Sequence, residues 1–309
     1  PYMRQFSPPN FPFFSDSENM TDPKSVLAVN PYKALLETCV AGGVGRSRQS
    51  FLQTLLMTFL AGAYIALGGF LAVRCGLALS WNEWGSMGKF IFAAVFPLGL
   101  ILTVICGADL FTGNAMTLTS ARYNGRVNSL DVLRSWCFSW VGNFIGAFFL
   151  VWATGIIFEK APAAAGAVSM PWAEGLVKLA NGKTSLSFGE AFWRAVGCNW
   201  LVCLAVYLSY SAKDIAGKIM ALWFPTMAFV AMGMEHCVAN MFFIPAAIFT
   251  GTDPRYTALV AEGSAPALTA DWSVFFVDNL IPVTLGNIAG GAVLVALVYC
   301  FIHGKVRNS

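Results

Sequence analysis

An all-α membrane protein of six transmembrane helices, arranged as an inverted repeat with helices two and five interrupted, is what this sequence predicts. Three observations carry the prediction. Hydrophobic residues make up 57% of the 309-residue chain and charged residues only 11%, against about 25% charged in a soluble domain. Six segments, near residues 51–73, 90–120, 135–158, 191–211, 219–250 and 274–302, are long and apolar, and a hydrocarbon core needs about 20 apolar residues to span it. The second and fifth exceed one simple span, and each is broken by a short polar motif.

In chain order, residues 1–31 contain six prolines and no apolar run of the kind a signal peptide carries. They are expected to form a flexible extension over about 1–30. A short surface helix carrying Leu35, Leu36, Cys39 and Val40 should follow. The six-span domain then occupies 31–304, with halves at about 31–158 and 191–304, and 305–309 form a tail. Residues 159–190, with three lysines, and residues 251–273 read as long loops. An even number of spans puts both termini on one side, and twelve of the 19 Lys and Arg residues fall there. The positive-inside rule makes that side cytoplasmic. Trp81, Trp84, Trp136, Trp172, Trp193 and Trp272 fall near span ends, as an interfacial belt does. The eight cysteines show no metal-ligand spacing and mostly lie in apolar runs, where thiols behave as small hydrophobes.

The interruptions are Asp109-Leu-Phe-Thr-Gly-Asn114 and Glu235-His-Cys-Val-Ala-Asn240. Each sets a carboxylate five residues before an asparagine, with Gly107, Gly113, Gly233 and Ala239 nearby to let a helix open. Ionisable groups at membrane depth are costly and usually line a pathway. Paired helix breaks are the best sequence pointer to a transport site. A broken helix frees backbone N–H groups at its new N-terminus, and Asp109 and Glu235 are expected to cap them. Direct proton relay is the other role open to either acid. Asn114 and Asn240 are expected to brace the opposite strand of each break, since an amide satisfies both a donor and an acceptor.

His236 is the only histidine inside a span; His303, at the end of the last, reads as interfacial. Imidazole titrates near physiological pH and can donate to an anion or pass it a proton. Thr112 offers a hydroxyl in the other break. Asn199, the one strongly polar residue well inside the fourth span, either orients His236 or makes an interhelical hydrogen bond. The halves also share Gly142-Asn-Phe-Ile-Gly146 and Gly286-Asn-Ile-Ala-Gly290, each in the span after its break. Small residues so spaced let helices pack closely in lipid. With three spans per half, the second copy must be inserted upside down.

No Ser/His/Asp set, HExxH motif or phosphate loop is present, and two histidines do not supply the usual zinc cage. The chain therefore reads as neither enzyme nor cofactor protein, and nothing in it points to nucleic acid. Aquaporin-type Asn-Pro-Ala motifs are absent from both breaks.

The motifs themselves resemble those of the formate/nitrite transporter family. Ile105-Cys-Gly-Ala-Asp-Leu-Phe-Thr112 is similar to that family's second-span loop, and Gly233-Met-Glu-His-Cys-Val-Ala-Asn-Met-Phe242 to its fifth-span signature. Asn199-Trp-Leu-Val-Cys-Leu-Ala-Val206 and Asp278-Asn-Leu-Ile-Pro-Val-Thr-Leu-Gly-Asn287 resemble its fourth and sixth spans. The resemblance implies an aquaporin-like protomer in a homopentamer, each subunit with its own pore for formate, lactate, acetate, nitrite or hydrosulfide. It places the family's central histidine at His236, with a contacting threonine at Thr112 and asparagine at Asn199. Hydrophobic constrictions fall on Phe96, Leu100, Leu110 and Phe229, with Phe111 beside them. The outer-vestibule lysine falls on Lys183, and the cytoplasmic-vestibule lysine is replaced by Arg46. Arginine keeps the attraction for anions but does not readily give up a proton.

Overall fold

The computed structural model describes residues 32–79, 81–160 and 171–306. The extension expected over 1–30 lies outside the described residues, as do positions 307–309 of the tail. Among the described residues, ten helices build the framework: α1 (Tyr32–Ser47), α2 (Phe51–Gly76), α3 (Met87–Ile105), α4 (Phe111–Tyr123), α5 (Ser129–Lys160), α6 (Pro171–Thr184), α7 (Phe188–Ser209), α8 (Ile215–Ala231), α9 (Cys237–Gly251) and α10 (Trp272–His303). They fall into two runs of five, α1–α5 and α6–α10. Each run is a surface helix, a span, a broken pair and a closing span.

The first helices of the two spans after the surface helices start alike. Ser50 and Ser187 each accept from the backbone N–H three residues on, while Gln53 and Glu190 reach back to the cap, a reciprocal capping box. The repeated glycine motifs set the central packing. A Cβ on Gly142 or Gly146 would overlap Thr58 or Phe59 of α2, and one on Gly286 or Gly290 would overlap Phe192 or Val196 of α7. Backbone meets backbone in both halves, which is how helices gain contact where solvent is as apolar as leucine.

The loop expected over 159–190 is corrected: its second part is α6, which buries Ala173, Leu176, Val177, Ala180 and Thr184. Those positions recur at helical spacing, so one face of a polar-looking helix packs inward. α6 holds the place in the second run that α1 holds in the first. The 251–273 loop likewise holds a short helix, Pro254–Ala261, capped by Asp253. α10 is one long span containing two π-helical stretches, Phe275–Leu280 and Gly290–Leu297. At the second, a Cβ on Gly291 would lie 2.6 Å from the Asn199 amide nitrogen, so the glycine is what lets α10 reach α7 here.

Candidate functional site

The two broken pairs meet in the centre of the fold. Both open at a glycine in the left-handed region, Gly107 (φ 79°) after α3 and Gly233 (φ 70°) after α8, a conformation that costs a side-chain-bearing residue. Both re-form from an extended residue, Leu110 ahead of α4 and His236 ahead of α9.

The carboxylates do not cap the new helices, which corrects the expectation for Asp109 and Glu235. The asparagines of the Gly-Asn-x-x-Gly motifs close the breaks instead. Asn143 accepts from Phe111 N–H at 2.8 Å and donates to the carbonyls of Thr58 (2.8 Å) and Asp109 (3.0 Å). Asn287 accepts from Cys237 N–H at 2.9 Å and donates to Ala195 (2.8 Å) and Glu235 (2.9 Å) carbonyls. An uncharged amide supplies an acceptor and two donors at once, where a carboxylate supplies acceptors alone.

Asp109 and Glu235 are instead ion-paired. Arg46 Nε donates to Asp109 Oδ1 at 3.0 Å, and Lys183 Nζ to Glu235 Oε1 at 2.8 Å. The other Glu235 oxygen accepts from Asn240 Nδ2 at 2.7 Å, and Asn240 also donates to Asn279, itself bonded to the Lys183 carbonyl. The bracing expected of Asn114 and Asn240 therefore needs correction. Asn240 ties the carboxylate to α10, while the fully buried Asn114 side chain has no partner among the described residues. Its backbone carbonyl accepts from the Trp136 indole at 3.2 Å. Aspartate is one methylene shorter than glutamate, and no bond reaches from Asp109 to Asn114.

His236 is buried, and its ring carries a defined tautomer. Nδ1 accepts from Ala239 N–H at 3.0 Å, so that nitrogen is unprotonated and Nε2 bears the hydrogen. Nε2 lies 3.1 Å from Thr112 Oγ1 and donates to it. The Thr112 hydroxyl hydrogen makes no bond of its own among the described residues. Asn199 makes no hydrogen bond to the imidazole: its amide nitrogen donates to the carbonyls of Thr112 (3.1 Å) and Asn287 (2.6 Å). Of its two expected roles the structure has the interhelical hydrogen bond, which fixes the backbone that carries Thr112 and stands one step behind the pair.

Two cavities flank this centre. One, of about 280 Å³, is lined by Phe96, Phe229, Lys183, Glu235 and His236. The other, of about 210 Å³, is lined by Arg46, Leu100, Leu110, Thr103 and Tyr210. Phe96 and Phe229 meet edge to face with centroids 6.1 Å apart, and Phe229 stacks on the His236 ring at 6.0 Å. Phe111 lines neither cavity and packs in the core, so its place among the constrictions is corrected. Each cavity thus has one ion-paired cation on its wall, an apolar pair towards the centre, and the Thr112–His236 contact between them.

Sequence reasoning read Gly142–Gly146 and Gly286–Gly290 for their glycines and passed over Asn143 and Asn287. The signal was present: an asparagine at the same place in two apolar spans is too costly to bury without partners. Asn279 and Tyr210 were also passed over.

Two helix breaks that meet among apolar spans, each with a buried, ion-paired carboxylate, define a membrane transport protein rather than an enzyme. The sequence profile of the formate/nitrite transporter family matches residues 33–301, and the chain belongs to that family. A probable formate transporter of Methanothermobacter thermautotrophicus is 47% identical over 82% of this chain and 89% of its own length. Among solved structures, an FNT family ion channel superposes with a TM-score of 0.72 at 27% identity, covering 87% of this chain and 98% of that one. A pentameric formate channel with formate bound gives a TM-score of 0.69 at 30% identity over 82% and 98%. The protein is an integral membrane transporter of this family.

Proposed function

We propose that each copy of this chain carries small monovalent weak-acid anions, formate together with lactate and acetate, in symport with a proton. Relatives named for formate support the substrate class. The observation that carries the mechanism is the Thr112–His236 contact set between two cation-bearing cavities. In this reading Lys183 and Arg46 draw the anion into the vestibules, and Asp109 and Glu235 hold those cations in place. Phe96, Leu100, Leu110 and Phe229 form the dry zones.

Magnitudes favour neutral passage. A free carboxylic acid titrates near 3.5, so protonating it at pH 7 costs about 3.5 units, or about 5 kcal/mol. Moving a bare carboxylate into a low-dielectric constriction costs several kcal/mol at the least and about 20 by Born estimates. The anion's own pKa rises as it leaves water; it takes its proton from vestibule water, leaving hydroxide behind, while the Thr112 hydroxyl, held by His236 Nε2–H, donates a hydrogen bond to it. A homopentamer with both termini in the cytoplasm, in a plasma or bacterial inner membrane, completes the proposal. Exposed apolar side chains such as Phe51, Leu52, Leu56, Val141 and Ile145 supply surface for lipid and neighbouring copies.

Uptake of labelled formate by proteoliposomes, with lactate, acetate, nitrite and hydrosulfide as competitors, tests the substrate class. No competition among the monocarboxylates would contradict it. The alternative, an anion channel conducting charged nitrite or hydrosulfide, is distinguished by substrate-dependent current across a planar bilayer.

A further inference from the structure

Lys178 and Arg194 also line the 280 Å³ cavity, but the two ion-paired vestibule cations, Lys183 and Arg46, are not equivalent. Lys183 has a single nitrogen, committed to Glu235 at 2.8 Å, and its side chain is 12% exposed. Arg46 meets Asp109 through Nε alone, at 3.0 Å, and its side chain is 25% exposed. Its two terminal nitrogens make no hydrogen bond among the described residues, while the residue lines the 210 Å³ cavity. A Cβ on Gly42, one turn earlier in α1, would lie 3.1 Å from Arg46 Nη1, so the glycine clears space for the guanidinium.

A guanidinium so held has one edge neutralised and another open. The open Nη1/Nη2 edge presents two parallel N–H donors in a plane, the geometry that matches a two-oxygen anion. A lysine already paired to a carboxylate offers no such fork. Hydrosulfide accepts hydrogen bonds at one atom from either residue and has no second acceptor to match the fork.

We propose that Arg46 is a specificity-determining residue, its Nη1/Nη2 edge docking planar two-oxygen anions, carboxylates and nitrite, in preference to single-centre anions. The inference rests on the substrate class proposed above. Thr38, Thr103 and Thr117 on the same wall already donate to the Ala34, Gly99 and Gly113 carbonyls at 2.8, 2.8 and 3.3 Å, and Arg46 is the charged donor this cavity presents.

The experiment is initial-rate uptake of formate and of hydrosulfide by the purified full chain in proteoliposomes under one proton gradient. Arg46→Lys keeps the charge and removes the fork. It is expected to lower kcat/KM for formate about tenfold, the value of about 1.4 kcal/mol, while hydrosulfide changes by less than about twofold. Gly42→Ala keeps the guanidinium but crowds Nη1, and should shift the ratio in the same direction. Formate and hydrosulfide falling together in both variants, or an unchanged ratio, would overturn the proposal. Wild-type protein that carries hydrosulfide but no carboxylate would instead remove the substrate class, and this inference with it.

Discussion

Asn143 and Asn287 perform the same task in opposite halves of the molecule: each receives the N–H that opens a re-formed helix and returns two hydrogen bonds to carbonyls around the break. Both are fully buried. Replacing either by aspartate keeps the acceptor and strands two buried carbonyls, at about 1–3 kcal/mol each. Asn143→Asp and Asn287→Asp are therefore expected to destabilise the protein by similar amounts. Thermal unfolding in detergent checks this. A loss in one variant and none in the other would show that the two breaks are not held alike.

The Lys183–Glu235 pair yields a second expectation. Breaking a buried ion pair by removing one partner costs about 3–5 kcal/mol, since the other charge is left unpaired. Lys183→Met should destabilise strongly, and Lys183→Met with Glu235→Gln should recover much of the loss. The double variant should also lose its low-concentration uptake advantage, read as a raised KM. Equal stability of single and double variants would argue that the pair is not coupled.

Much of this arrangement could be read from residues alone, and the limit is instructive. The breaks were legible because Asp109, Glu235 and their flanking glycines interrupt apolar runs that tolerate no idle charge. The partners of those charges were not legible. Arg46 and Lys183 sit on surface helices far away in sequence, and a long polar loop hides a helix unless its buried face is traced through Ala173, Leu176, Val177 and Ala180. Capping by acid followed from general helix chemistry. In this chain the neighbouring cations claim the acids first, and the neutral amides of Asn143 and Asn287, with the His236 ring at α9, do the capping.

His236→Phe preserves a ring against Phe229, which stacks at 6.0 Å, and removes the Nε2–H that faces Thr112. Formate uptake should fall about tenfold, the value of about 1.4 kcal/mol for one lost hydrogen bond to Thr112, with assembly unchanged by size-exclusion chromatography. Wild-type rate and pH profile in this variant would remove the imidazole from the mechanism.

Widening the apolar zone tests what keeps charge out. Phe96→Ala opens space beside Phe229 and Phe243, whose rings lie 6.1 Å from that of Phe96. Water entering there lowers the cost of a charged species. Planar-bilayer recording should detect formate-dependent current in Phe96→Ala and little in the wild type. Identical currents would show that the phenylalanine pair is not a barrier to ions.

Neutral passage makes the sign of the pH effect definite: the fraction of substrate in acid form rises as pH falls, so uptake should rise with it. The most direct measurement is formate accumulation in proteoliposomes with an inward proton gradient imposed and the membrane potential clamped at zero. Accumulation above the external concentration, tracking the gradient and carrying no net current, is the predicted result. Uptake that ignores the proton gradient and follows an imposed voltage would contradict it.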